Sequence, residues 1–288
     1  MAIKYTDINT TATNNINNGL FVPEVYAGLT REKIKGKVIV SQFAETDTTL
    51  QGQPGESINV MEWKYIGDAQ DHTPGTPMDT TKLKQKSGSA TIKMVAAPGI
   101  QIYDVDDLVA FGKQVDEGTE QQAISMARKL DTDCISELLT ASTKGVLAED
   151  GKVTFDEMIE AESLFGDDFN IEDVHAIIVH SIYKASFIKM DGFVNKDLTY
   201  VSDGAGIARN NVIGSFMGVP VVVTDRLVDG EKHPIIILKK GALKVFTKEA
   251  PFVESERDAA SRLTNIYCSD FYAVKLVKDD AVVVMETV

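Results

Sequence analysis

The chain has 288 residues, room for one large domain or two modest ones. With hydrophobic residues at 43% and charged residues at 25%, it can close a core without metal or disulfide staples. A count of 43 acidic against 29 basic side chains leaves a net charge of −14 with no basic cluster, which excludes a surface that grips nucleic acid by neutralising phosphates.

Residues 1–20 are rich in Thr and Asn and poor in large apolar groups, so they read as an extended arm that orders only against something else. They lack the basic and apolar regions of a signal peptide. The longest aliphatic runs, such as Ile235-Ile236-Ile237-Leu238, are too short to span a bilayer. Pro23 opens a short helix through Val25, Tyr26, Leu29 and Lys33, and Lys37-Val38-Ile39-Val40 reads as a short strand. Next comes Gln51-Gly52-Gln53-Pro54-Gly55-Glu56, then the alternating Ile58 to Tyr65, then Thr73-Pro74-Gly75-Thr76-Pro77 and a second alternating stretch, Leu83 to Lys93. Alternation bounded by Gly and Pro predicts two long strands joined by a wide turn. A two-stranded ribbon is marginal alone in water, so its stability has to come from neighbours, which points toward assembly.

From Asp104 the period changes. Asp104 to Val115 reads as helical, either continuous with the next helix or broken from it near Gly118. Between Thr119 and Ala141, Ala123, Ala127, Leu130, Cys134, Leu138 and Ala141 fall on one stripe at spacings of three and four, an amphipathic helix. Thr154 to Phe165 is a second helix, with Thr154 and Glu157 spaced as a capping box. Val174 to Val179 is an apolar strand, after which Ser181 caps a helix carrying Ile182, Phe187 and Ile188. Asn195 to Asn211 is a polar loop, and Gly218 to Thr224 and Pro234 to Leu238 are buried strands. From Ala242 onward nearly everything is strand, with Asp270 to Lys278 and Ala281 to Glu286 flanking Asp279-Asp280 as a hairpin.

No catalytic, cofactor-binding or metal site emerges, and no enzyme activity is expected. His72, His175, His180 and His233 lack metal-ligand spacing; the five-residue step between His175 and His180 sends their side chains to opposite faces of a strand. Asp104, Asp106 and Asp107 complement a helix start, and Asp167 and Asp168 lie in a loop. Gly204-Ala205-Gly206 neither follows a strand nor opens a helix, so it makes no phosphate cradle. Cys134 and Cys268 read as small buried hydrophobes. Lys82, Lys84 and Lys86 share one face of the second ribbon strand. They serve either as a charged edge against wrong pairing or as contacts to the acidic body of a neighbouring subunit. Trp63 and Tyr65 on the first strand are further candidates for contact between subunits.

The order of segments, together with three local motifs, resembles the major capsid proteins of tailed bacteriophages with the HK97 fold. Ile124-Ser125-Met126-Ala127-Arg128-Lys129-Leu130-Asp131-Thr132-Asp133 looks like a capsid spine helix, and Val174 to Ser181 looks like the strand whose end caps the following helix. Ile213-Gly214-Ser215-Phe216-Met217-Gly218-Val219-Pro220-Val221 is similar to the family's strand entry, where Gly permits a close backbone approach and Pro opens an edge strand. The resemblance implies an α+β, HK97-like capsid fold: N-terminal arm and short helix over 1–44, extended β-hairpin E-loop over 45–90, P-domain with a long spine helix over 91–150, A-domain with a mixed sheet over 151–240, and C-terminal strands returning to the P-domain over 241–288. It further implies a homo-oligomer of hexamers and pentamers that encloses DNA without sequence-specific binding and without a membrane. Such a shell is assembled in the host bacterial cytoplasm with a separate scaffolding protein and a portal. Gly118 and the loop 195–211 are the expected sites of adaptation between capsomers. The Lys–Asn cross-link of some relatives has no match here, so none is expected. An encapsulin-type nanocompartment, which shares the fold but encloses enzymes, and a soluble α/β enzyme are the alternatives.

Overall fold

The structure, a computed structural model, describes residues 30, 32–34, 36–51, 55–63, 66–69, 71–72, 80–105, 114–166, 170–190, 193–195 and 211–287. The arm over 1–20, Pro23, Tyr65, Gly204 and most of the loop 195–211 lie outside them. Elements in chain order are β1 (Glu45–Asp47), β2 (Ser57–Trp63), β3 (Gln85–Thr91), β4 (Lys93–Ala96), β5 (Ile100–Tyr103), α1 (Gln114–Leu138), β6 (Thr143–Leu147), α2 (Phe155–Ser163), β7 (Val174–Val179), α3 (Lys184–Lys189), β8 (Phe193–Asn195), β9 (Val212–Phe216), β10 (Val219–Val223), β11 (Ile235–Lys239), β12 (Leu243–Asp258), β13 (Leu263–Leu276) and β14 (Val282–Thr287). They form two compact units. One draws on residues up to Val38, Met94–Lys129 and Glu249–Phe271; the other on Ile39–Lys93, Leu130–Lys248 and the residues from Tyr272 onward.

In the first unit, β5 runs antiparallel to β13, with Tyr103 opposite Leu263 and Ile100 opposite Ile266. The first half of α1 buries Ala123, Met126 and Ala127. Gln122, also buried, donates its amide to the carbonyls of Pro98 and Ile266. The β12–β13 hairpin turns at 259–262, where Asp258 accepts from the amides of Ala260 and Ser261 and Arg262 sits at φ +50°. Arg257 adds a bidentate fork onto Asp104, at 2.5 and 2.6 Å.

The second unit is built on a sheet of order β6-β14-β11-β7-β10-β9-β8. It is mixed: β7–β10 and β6–β14 are parallel, while β11 is antiparallel to both β7 and β14. Ile177, Ile237, Val283 and Met285 face a core completed by Met158 and Ala161 of α2 and Phe187 of α3. The alternate positions Ala176, Ile178, Ile236, Leu238, Val282 and Val284 are equally buried, which is why these strands read as unbroken aliphatic runs. The α2 start matches its sequence: Thr154 Oγ1 accepts from Glu157 N, and the Glu157 carboxylate accepts from Thr154 N at 2.7 Å.

Four local expectations are corrected. Residues 37–40 are no strand, because the Asp131 carboxylate accepts from the amides of Ile39, Val40 and Ser41 at 2.9 to 3.0 Å and turns the chain into a 3-10 segment, Ser41–Phe43. Asp279-Asp280 makes no hairpin; it sits in a 3-10 turn that hands the chain from β13 to β14, which pairs with β11 and β6. The turn before α3 is capped by His180, whose Nδ1 accepts from Ile182 N, in place of Ser181. Pro220 opens no edge strand, since β10 is flanked by β7 and β9; pairing with β7 starts at Val221, so Pro220 escapes the need for an N–H on that side. Gly218 serves its positive φ of +89° in the two-residue β9–β10 turn, and a Cβ there would meet nothing within 4 Å.

Candidate assembly surface

The ribbon predicted from alternation is β2 and β3, antiparallel with Ser57 opposite Thr91 and Trp63 opposite Gln85. Among the described residues neither strand has a second partner. The register sorts its side chains onto two faces. Ile58 with Ala90, Val60 with Gly88, and Glu62 with Lys86 form the inner face; Met61 with Ser87 and Trp63 with Gln85 form the outer one. The inner face is held at its base by a small apolar cluster of Ala90, Phe246 and Ala273 with Leu50, Ile58, Val60 and Ile92. Beyond Val60 the packing gives way to a cavity of about 190 Å³, lined by Glu62, Lys86, Gly88, Lys275 and Asp279 among others.

One polar bolt crosses that gap. Lys86 Nζ meets Asp279 Oδ2 at 2.9 Å, and Asp279 also accepts from the Ser142 amide at 2.9 Å and the Ser142 hydroxyl at 2.7 Å. Burial alone would raise the Asp279 carboxyl, but Lys86 and Ser142 outweigh it and hold its pKa below the ordinary value. The same contact, with Glu62 opposite, raises that of Lys86. Nearby, Lys275 pairs with Glu137 at 3.0 Å and the Tyr272 hydroxyl donates to Asp133 at 3.0 Å, both on the second half of α1.

The outer face is different. Met61 and Trp63 are 58% and 60% exposed, and Ile66 and Leu83 just past the paired segments are similarly open. Exposed apolar groups of this size are of the kind through which proteins bind partners, which makes this face the candidate contact surface. The candidate residues separate accordingly. Trp63 points outward, and Tyr65 lies outside the described residues. Lys82 and Lys84 precede β3 and are exposed, so the three lysines do not share a strand; Lys86 alone is in it, bound to an acid of its own chain. Gly118 is buried inside an α1 that runs unbroken through it. Asp279, which holds the ribbon through Lys86, and Asp131, which turns the chain at 39–41, are not among the candidates. Of the two, Asp131 carried a signal, because it lies on the apolar stripe four residues after Ala127.

A long helix, a mixed sheet and an open two-stranded ribbon with Met61 and Trp63 exposed on its outer face are the parts of an HK97-like capsid fold. A model of the phage capsid protein family matches residues 99–285. The major capsid protein of Staphylococcus phage phiMR11 is 30% identical over 263 residues, which cover 91% of this chain and 92% of that one. The chain belongs to the phage capsid protein family. Among solved structures, the mature capsid of bacteriophage PhiM1 matches with a TM-score of 0.60 at 14% identity, covering 88% of this chain and 86% of that one. An encapsulin complex from Synechococcus elongatus matches with a TM-score of 0.58 at 11% identity, covering 86% of each. At such identities these two speak for the HK97-like fold alone; the phage assignment rests on the family match and the curated relative.

Proposed function

We propose that this chain is the major capsid protein of a tailed phage, self-assembling through hexamers and pentamers into an icosahedral shell around double-stranded DNA. The observation that carries this is the 30% identity to a phage major capsid protein across nine-tenths of both chains. The physical case agrees. A subunit whose ribbon keeps Met61 and Trp63 in water gains by laying that face on a neighbour. Many such contacts, each weak, add up through multivalency. A net charge of −14 lets a wall enclose DNA without adhering to it. Lys82, Lys84 and Trp63 are the contacts proposed on the ribbon, with Gly118 and the loop 195–211 as the places that adapt between five-fold and six-fold settings. Assembly proceeds in the host cytoplasm with a separate scaffolding protein and a portal, and the finished protein resides in the virion. The reading assigns the chain no catalytic step.

Negative-stain microscopy of the purified chain tests this, with shells, tubes or capsomer rings as the expected image. A compact monomer at high concentration would overturn it. Particles from cells that carry a folded enzyme and no DNA would favour the encapsulin reading instead.

A further inference from the structure

Three connections of the second unit meet around two histidines whose rings are in tilted contact. His180 follows β7, His233 precedes β11, and Asp150 lies between β6 and α2. The two ring centroids are 4.3 Å apart. Asp150 Oδ2 is 2.8 Å from His233 Nδ1; a carboxylate oxygen accepts, so Nδ1 carries the proton. The Tyr183 hydroxyl, on a fully buried ring, lies 3.0 Å from Asp150 Oδ1 and 2.7 Å from the His233 carbonyl, tying the same pieces together.

His180 is held in its neutral form through Nδ1. Nδ1 accepts from Ile182 N and caps the 3-10 turn Ser181–Tyr183 that leads into α3, while the ring also donates to the Asp225 backbone carbonyl. A second proton would set an N–H on Nδ1 against the N–H of Ile182, removing the cap, and would place a charge against the His233 ring. The groups that face His180 are His233, Asp225 and Asp150; burial and then His233 lower its pKa, and the two carboxylates and the bond to the Asp225 carbonyl oppose them.

We propose that His180, His233 and Asp150 form an acid-release latch: neutral His180 pins the turn entering α3 to the connections before α2 and β11, and protonation releases it. The device lies within one chain and stands whether or not the shell reading does. Because the closed form disfavours the proton, it keeps its full advantage above the ordinary histidine value of 6.5 and loses it as pH falls from there through the lowered value.

Hydrogen–deuterium exchange on the full chain, corrected for intrinsic rates, tests this. Between about pH 7.5 and about pH 5, protection over 180–189 and 225–234 should fall by up to about tenfold per pH unit, the slope of one proton, while β11 and β14 stay protected. His180→Asn, which can cap without titrating, should abolish the acid response. His233→Gln removes a neighbour that holds the closed-form value down, so the acid-induced loss of protection should shrink while its onset stays near the ordinary histidine value. A flat wild-type profile, or a His180→Asn variant as acid-sensitive as wild type, overturns the proposal. If His180→Asn fails to fold, an acid-induced loss as large in His233→Gln as in wild type does so.

Discussion

Lys86 and Asp279, 193 positions apart in the chain, meet at 2.9 Å where the ribbon leaves its apolar base. The contact is asymmetric. Lys86 is half-exposed and has one acidic partner there, whereas Asp279 is mostly covered and also serves both the amide and the hydroxyl of Ser142. Losing Lys86 therefore forfeits a screened ion pair, but losing Asp279 also removes two hydrogen bonds from Ser142.

Asp279→Ala should accordingly destabilise the unassembled chain by about 2 kcal/mol, and Lys86→Ala by about 0.5 kcal/mol. Urea unfolding gives both values, and equal losses would mean that the Ser142 contacts contribute nothing. Because the Asp279 pKa is lowered, its contribution is full above the ordinary 3.8 and disappears only as pH falls through the lowered value. The ribbon bolt thus survives mild acid that opens the histidine latch.

Asp131 presents the opposite balance. Burial raises its carboxyl pKa despite three backbone amides that favour the charge. Asp131→Ala removes all three acceptor contacts to Ile39, Val40 and Ser41 and should cost about 2 kcal/mol at neutral pH. Asp131→Asn keeps one oxygen for Val40 and Ser41 but turns an NH2 toward Ile39, so its loss should be intermediate. The raised pKa adds a stabilising increment that is present below 3.8 and lost as pH rises through the raised value; the Asn variant lacks that dependence. Paired urea titrations at acid and neutral pH measure it, and identical pH profiles would refute the assignment.

These two aspartates mark where the sequence stops being legible. The α1 stripe and the Thr154–Glu157 box are decided within a few residues, and the ribbon announces itself by alternation, so each can be read locally. What ends or redirects a segment is set from far away. Ile39 to Ser41 have the composition of a strand, but a carboxylate about 90 positions on takes their amides. Asp279-Asp280 has the look of a turn between paired strands, but its partners are Ser142 and Lys86. Likewise Lys82, Lys84 and Lys86 are equivalent as letters. The observed start of β3 and the Glu62–Lys86 register are what single out the last of them.

Gly145 lies in β6 opposite Met285, and a Cβ there would fall 2.1 Å from Met285 Sδ and 2.9 Å from Leu164 Cδ1. Met285 is 2% exposed, so its sulfur has nowhere to swing. Gly145→Ala should cost about 1–3 kcal/mol by overpacking. Adding Met285→Ala should recover part of that loss, giving a non-additive double mutant in thermal or urea unfolding. Strict additivity would show that the two positions do not compete for space.

Trp63 distinguishes an assembly surface from a stability element. Its ring stands on the outer face of β2, 60% exposed, opposite Gln85, and outside the apolar cluster at the ribbon base. Replacing it with Ser should leave the unfolding midpoint of the isolated chain within about 0.5 kcal/mol of wild type, as for other surface changes. If the ring is buried against a neighbour, the same change removes a contact of the size that dominates interfaces, about 2 kcal/mol or more per copy. Repeated around a capsomer, that loss should raise the protein concentration needed for assembly by at least about tenfold, read by light scattering and microscopy. Val60→Ser, on the inner face, should do the reverse, lowering the midpoint through the packing it loses at the ribbon base. A Trp63→Ser chain that assembles at the wild-type concentration would remove the outer face from the contact surface.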